Sequence, residues 1–566
     1  MHKIIFYLKV LYQYNLYKSK YLFLFFSLFF YLLLKFFRRK DYENYNNFFK
    51  NISKINNSVK LRKKKCIHIN FFSWFDTQNT IFSFFIINLI GIENNNILYF
   101  KTKFLNFFVN SKKFSFGLPL NFYSKISFGE LSSLLSDLTK KSYKDIFKYK
   151  YQDVECGKYA ISSSIRLLRT PEINLKNKKH LYVVKFFLFK SILIADSAIN
   201  YLDENEDIDC AIFNDKSYVG AGELFDQCIK RKISCIQFVA SYKNNIILLK
   251  KFNEENKNEH PSSISQDIWE KFKLVELSQK QKNYLNKEIE IQYKNNTWYP
   301  SAGTMIGKNF SNNNDLINQL KLNERKKTAI IFPHIFWDGT FFFGKDLFDN
   351  YIDWYRETLK SAYKNKNLNW IIKSHPSNFI KNNRDKISNN TEEPELSIIK
   401  ELFGKVPENF TFIGSSSKIN TFQLFEILDY CFTIRGTVGI EAALRNKIVI
   451  TAGTGRYDNR GFSYNFDSKE KYFEFIKNLH NFEHTKNDIV RNAEKFAYIA
   501  FMCKTFELKS ANYFYNKDDK ASLNLNIQFD QLDNTDFIHS IRDLSKWVDD
   551  KYSDYFFDPC NEWKLK

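Results

Sequence analysis

DYCFTIRGTVGIEAALRNKIVITAGTGRYDNRGFSYN, residues 429–465, is the stretch that decides the fold. YCFTI reads as a short buried strand, Arg435 and Gly436 as a turn, and TVGIEAALRN as a helix. KIVITAG (447–453) is the next strand. A strand that returns through a helix to another strand builds a parallel sheet, because parallel neighbours need a crossover connection. The alternation continues outward. TAIIFP (328–333), NWIIKSHP (369–376) and FTFIG (410–414) are further strands. FDNYIDWYRETLKSAYK (348–364) has apolar positions three and four apart, as a helix requires. ELSIIKELF (395–403), TFQLFEIL (421–428), EKYFEFIKNL (470–479) and NDIVRNAEKFAYIAFM (487–502) are helices of the same kind.

A weaker alternating run precedes it. CIHINFF (66–72), ILYF (97–100), DCAIFND (209–215) and SCIQFV (234–239) read as strands. TIFSFFIINLIG (80–91) and AGELFDQCIKRK (221–232) read as helices. The polar stretch 253–325 reads as a connection between two α/β halves. The expected organisation is 1–64, a membrane-associating helix and linker; 65–320, a first α/β domain; 321–510, a second; and 511–566, a C-terminal extension. Two such halves imply an enzyme with a cleft between them.

Composition sets limits. The chain has 566 residues, 44% hydrophobic and 26% charged, which excludes a wholly disordered protein. Gly 17 and Pro 9 exclude collagen-like or Pro-rich character. The net charge is +22, in a chain rich in Lys, Asn, Ile, Phe and Tyr together, as an AT-biased coding sequence would produce. No zinc-finger, RNP or basic-zipper pattern accompanies that charge, so no nucleic-acid partner is expected. A basic surface also suits an anionic nucleotide, a phospholipid acceptor or an acidic membrane. The 8 cysteines form no CxxC pair and read as reduced thiols rather than disulfides or a metal site.

Tyr21–Leu34, YLFLFFSLFFYLLL, is continuously apolar but falls short of the roughly 20 residues that cross a bilayer. Lys18 and Lys20 precede it; Lys35, Arg38, Arg39 and Lys40 follow, and no small-residue cleavage site does. A short signal anchor, an in-plane helix and a buried helix all fit. The basic flanks favour the cytoplasmic face of a membrane, with the body of the chain in the cytoplasm.

The residue types that carry chemistry cluster at strand ends. Gly436 and Gly439 remove side chains where a ligand could approach, and the helix starting at Thr437 presents free N–H groups to a phosphate. Arg435, Arg456 and Arg460 supply fixed charge from two loops after neighbouring strands. Glu441, one turn into the helix, is placed to accept ribose hydroxyls. Lys373 and His375 end the strand that Pro376 terminates. His334 and Asp338, after Pro333, are candidate general bases, with a helix-capping Asp338 as the rival. In the first half Asn214, Asp215 and Tyr218 follow a strand and could read an acceptor hydroxyl; a turn role for Asp215 fits equally. Ser162, Arg166 and Arg169 share a helix face that is either solvated or anion-contacting, and His68 reads as a packed strand residue.

Taken together, FPHIFWD, FDNYIDWYRETLKSA, WIIKSHP and TIRGTVGIEAALRNKIVITAGTGRYDNRGF resemble bacterial capsule and surface-polysaccharide biosynthesis proteins, glycosyltransferases of the GT-B type. The resemblance is strong across about 328–465 and weaker across 150–270. It implies two Rossmann-like domains with parallel sheets facing a cleft. It also implies a nucleotide-sugar donor, CMP-activated in some relatives, and a lipid-linked or growing glycan acceptor. By the same resemblance His375 would contact donor phosphate, Arg435, Thr437 and Gly439 would line that site, and Glu441 would meet the ribose. RGT stands where sialyltransferases have a Ser/Thr pair, which departs from a CMP-donor pattern. No metal and no cofactor is expected. The architecture also resembles wall-polymer glycerophosphotransferases and UDP-sugar 2-epimerases, which stand as alternative readings together with a non-catalytic scaffold of a polysaccharide-synthesis complex.

Overall fold

The computed structural model describes residues 35–58, 65–69, 77–89, 122–138, 141–170, 172–309, 312–339, 341–384, 392–482, 488–517, 521–531, 535–550 and 553–556, with scattered positions between 8 and 33. The expected strand at 97–100 and most of the apolar run 21–34 lie outside these. No described helix is long and apolar enough to cross a membrane.

Strands in chain order are β1 (Lys65–Ile69), β2 (Ile208–Phe213), β3 (Ser234–Ala240), β4 (Ile246–Phe252), β5 (Thr328–Ile331), β6 (Asn369–Lys373), β7 (Phe410–Ile413), β8 (Tyr430–Thr433), β9 (Ile448–Thr451), β10 (Tyr464–Asn465) and β11 (Thr505–Glu507). The second sheet runs β10-β9-β8-β5-β6-β7 and every pairing in it is parallel. Chain order reverses at β5, whose neighbours are β8 and β6. A doubly wound sheet opens its ligand crevice at such a point, outside the carboxyl ends of the strands.

The first sheet, β1-β2-β3-β4-β11, is mixed, which corrects the expectation of two parallel sheets. β1, β2 and β3 are parallel, whereas β4 is antiparallel to β3 and to β11. β4 follows β3 through a short turn, a connection that only antiparallel strands permit. β11 comes from beyond the second sheet, so the chain returns to the first half before its end. The hairpin of β12 (Ala511–Tyr515) and β13 (Leu523–Ile527) and the helix Thr535–Asp549 then contribute Tyr513, Leu523, Leu544 and Trp547 to the core that β2, β3 and β4 share with Phe48, Phe82 and Phe85. The stretch expected to be a connection also does more. Its helices Gln266–Phe272, Gln279–Lys294 and Asn313–Gln319 bury Trp269, Leu285, Ile289 and Leu316 against Ile330, Ile371 and Cys431 of the second sheet.

Local rules place the helix boundaries. The helix read from Phe348 begins at Tyr351, because the Asn350 side chain accepts from the Ile352 and Asp353 N–H groups, both at 2.9 Å. Tyr351, Trp354, Tyr355, Thr358, Leu359 and Ala362 then form its buried stripe. The 26-residue helix Lys178–Asp203 and β4 were not expected; the helix is apolar nearly all round where it is buried and lacks a clean 3.6-residue stripe.

Candidate functional site

A cavity of about 510 Å³ opens at the carboxyl ends of β8, β5 and β6, facing the first half. These neighbouring strands deliver Arg435, His334 and His375 to it. Lys373, Gly436, Thr437, Glu441 and Arg456 also line it, as do Asp338, Asp215 and Tyr218.

The second half supplies cations in apolar surroundings. Arg435 is 3% exposed and forms an ion pair with Asp346. Burial lowers its guanidinium to about 9, which leaves it charged at neutral pH. Arg456 donates to the Arg435 carbonyl at 3.1 Å. The Nε–H groups of Arg435 and Arg456 are both buried without a hydrogen-bond partner. Lys373, 2% exposed, donates to the carbonyls of Ser374 (3.2 Å) and Gly414 (3.4 Å); burial and the charge of Lys308 draw its pKa to about 7.

His375 is neutral. Its Nδ1 accepts the Ser377 N–H at 3.2 Å, which puts the ring proton on Nε2, and burial with the charges of Lys381 and Lys373 lowers its pKa to about 3. His334 is also neutral, through burial and the charge of Arg435. Its Nε2 accepts the Arg435 N–H at 3.3 Å, and its ring packs on Tyr351 with 4.7 Å between centroids. That nitrogen is already engaged, which weakens His334 as a base.

Asp338 is a junction between the halves. Its Oδ1 accepts from Arg166 at 2.6 Å and from the Tyr218 hydroxyl at 2.8 Å, and its Oδ2 accepts from Lys381. Burial alone would raise its pKa, but Lys381 and Arg166 hold it well below the usual carboxylate range. No helix starts at 341–350, so Asp338 caps none. Asp215 differs: it accepts the Ser217 N–H at 2.9 Å, and burial raises its pKa although Arg166 opposes this. The two carboxyl groups share Arg166 and are pushed in opposite directions, the pattern of paired groups with separate roles.

One wall is aromatic. Tyr293 and Trp298 stack with 5.4 Å between centroids at 24°, and Tyr293 donates to Glu441. Burial raises Glu441 to about 8, so its carboxyl both donates and accepts near neutral pH. The Trp298 Nε1–H is buried without a partner.

Three expected site residues lie off the cavity. A Cβ on Gly439 would sit 2.2 Å from the Tyr457 hydroxyl, so this glycine serves close packing rather than ligand approach. Arg460 donates to Gln266 and to the Ile264 carbonyl, tying down the stretch after β4. Asn214 is buried and donates to Ser83 at 2.9 Å. On the helix Cys156–Leu168, Arg166 joins the Asp338 junction, whereas Arg169 stacks on Trp337 at 3.7 Å. The side chain of His68 lies outside the described residues. Among the cavity residues not expected are His260, Tyr293, Trp298, Tyr299 and Lys381. Only His260 had a local signal: HPS occurs at 260–262 and again at 375–377.

Among the described residues no group of three His, Cys, Asp or Glu side chains could hold a metal ion. The described cysteines 156, 210, 228, 235 and 431 are free thiols and buried, and Cys503 is buried too.

Residues 245–485 carry most of this cavity. They match the capsule polysaccharide biosynthesis protein family. This is the family that the strand-end motifs resemble. No curated protein matches the chain. Among solved structures, KpsC of Thermosulfurimonas dismutans, a beta Kdo 2,4 transferase, is 10% identical over 59% of this chain and 88% of its own, with a TM-score of 0.33. The UDP-GlcNAc 2-epimerase of Methanocaldococcus jannaschii is 12% identical, covering 77% and 99%, at 0.26. The wall teichoic acid polymerase TagF is 12% identical, covering 94% and 98%, at 0.24. The matched stretch runs from β4 to β10 and includes the whole of the parallel sheet.

Proposed function

We propose that the protein is a glycosyltransferase of surface-polysaccharide synthesis that uses a nucleotide-linked sugar. The observation that carries this reading is the convergence of Arg435, Arg456, Lys373 and neutral His375 on one buried cavity in a capsule-family region. These groups would bind the donor phosphate and stabilise the negative charge that grows as the nucleotide departs. The Tyr293–Trp298 wall would take the base, and Glu441 the ribose hydroxyls. No step requires a metal ion, so activity is expected to survive chelation.

The first half would bring the acceptor hydroxyl. Asp338 and His334 were the candidate bases from sequence. Asp338 is saturated by two cations and a phenol, and His334 already accepts a backbone N–H. Asp215, with its raised pKa, is the better acceptor of a proton at neutral pH. In this mechanism the acceptor oxygen gives its proton to Asp215 and attacks the anomeric carbon while the bond to the nucleotide phosphate breaks. Asp338 holds the halves together around the reactants.

Phe36 and Phe37, 70% and 81% exposed, stand beside Lys35, Arg38, Arg39 and Lys40. This combination supports contact with an anionic membrane surface, where a lipid-linked acceptor would reside. Co-sedimentation with phosphatidylglycerol vesicles, lost in a Phe36→Ser/Phe37→Ser variant, tests it.

The central test is transfer from a panel of nucleotide sugars and CDP-glycerol, with wild type and the His375→Ala and Arg435→Ala variants. Transfer of a sugar from one donor, abolished in both variants, supports the proposal. Transfer of glycerol phosphate alone would move the protein to the glycerophosphotransferases. Full donor affinity in both variants would sink the site assignment.

A further inference from the structure

The run His260–Pro261–Ser262, just after β4, repeats the run His375–Pro376–Ser377 after β6. The two turns are built alike. In each, the N–H of the serine two residues on donates to imidazole Nδ1, at 3.1 Å for His260 and 3.2 Å for His375. A backbone N–H only donates, so each Nδ1 carries a lone pair and each ring proton is on Nε2. Neither Nε2 has a hydrogen-bond partner among the described residues, and both rings line the one cavity.

Much of the molecule is devoted to holding the first turn. The His260 N–H donates to the Gly455 carbonyl at 2.8 Å, in the loop after β9. The Ser263 carbonyl accepts from Lys504 and from the Tyr555 hydroxyl. The Ser263 hydroxyl donates to Glu259 at 2.8 Å, and Lys250 reaches both. Lys250 and Lys504 are each 1% exposed. Burying two ammonium groups carries a desolvation cost, and here their bonds hold Glu259 and Ser263, the residues flanking the turn, from β4 and from beyond the second sheet. The His260 ring packs on Phe343, 5.0 Å between centroids.

The two imidazoles keep different company. His375 stands with Lys373 and Lys381; His260 stands with Arg456 and Arg435, whose Nε–H groups are buried and unpartnered. The cavity therefore presents two imidazoles, each beside its own pair of cations. We propose that His260, with Arg456, binds a second anionic group of the donor, beyond the phosphate at His375: the second phosphate of a nucleoside diphosphate or the carboxylate of an acidic sugar on a nucleoside monophosphate. This rests on the donor-site reading above and adds the donor's charge class to it.

Titration calorimetry of the full chain with UDP, UMP, CDP and CMP, and with a CMP-linked acidic sugar, tests the proposal. One doubly anionic ligand, a diphosphate or the acidic-sugar conjugate, should bind about tenfold or more tighter than its nucleoside monophosphate. His260→Ala should erase that difference and leave the monophosphate affinity in place, while His260→Gln, which keeps a donor, should restore part of it. UDP or CDP responding identifies the second group as phosphate; the acidic-sugar conjugate responding identifies it as carboxylate. Melting curves report whether the variants fold, and if His260→Ala does not, His260→Gln takes its place, read for a partial loss of the difference with the monophosphate affinity kept. Equal losses for both ligand classes, or no loss for either, would overturn the second station while the donor site stands. Absence of any nucleotide binding to wild type would overturn both.

Discussion

The two sheets end on opposite chemistry. The parallel sheet delivers Arg435, Lys373 and His375 to the cavity, whereas β2 of the mixed sheet delivers Asp215 and Tyr218. One lip is electropositive and suits a phosphate; the other carries carboxyl and phenol groups and suits a hydroxyl. Asp338 belongs by chain to the first of these and by bonding to both, since Arg166 and Tyr218 reach it from one half and Lys381 from the other. Under the proposed function, the contrast teaches that the donor end would be set by buried charge, and the acceptor end by how two carboxyl groups divide one arginine.

Four experiments would break or sharpen that contrast. The largest effect is expected at the acidic lip. Asp215→Asn should lower kcat by about 10²–10⁴-fold with donor affinity nearly unchanged. If Asp338→Asn does this and Asp215→Asn does not, the base is the junction carboxylate and the division of roles is reversed. At the cationic lip, His375→Ala should weaken nucleotide binding by about 10–100-fold, the loss of a hydrogen bond to a charged group, read by calorimetry.

Next is pH. Burial draws the Lys373 ammonium down to about 7, and a bound phosphate would raise that value. Above pH 7 binding must therefore take up a proton, so affinity should fall as pH rises, by up to about tenfold per unit, and should level off below pH 7. Lys373→Met should flatten this dependence; an unchanged slope in that variant would place the titration elsewhere. The smallest effect is expected at Arg460, which the structure removes from the cavity. Arg460→Gln should change donor affinity by about twofold at most, as for substitutions away from a site. A larger loss would mean that the loop after β9 bears on the ligand directly.

Much of the parallel sheet was legible in the chain. TAIIFP, NWIIKSHP, YCFTIRG and KIVITAG are short apolar runs bounded by Pro or Gly, and each became a strand because a strand buried on both faces needs apolar residues at successive positions. The ends of those runs carried the cavity cations for the same reason, since polar groups can appear only where the strand leaves the core. Gly439 misled. A glycine one turn into a helix looks like room for a ligand, yet its space is filled by Tyr457, which arrives from another loop.

The sequence by itself determined the alternation of strand and helix, the placement of Arg435, His334, His375 and Asp215 at strand ends, and the character of the second half. These follow from local rules: period, turn residues and the exclusion of charge from strand interiors. Only the tertiary structure decided that β11 and Tyr555 return to the first half, that His260 joins the cavity, and that Asp338 is bound on both oxygens. Those outcomes depend on which distant groups meet, and the pKa and tautomer of a buried side chain are set by the charges and N–H groups around it rather than by its neighbours in the chain.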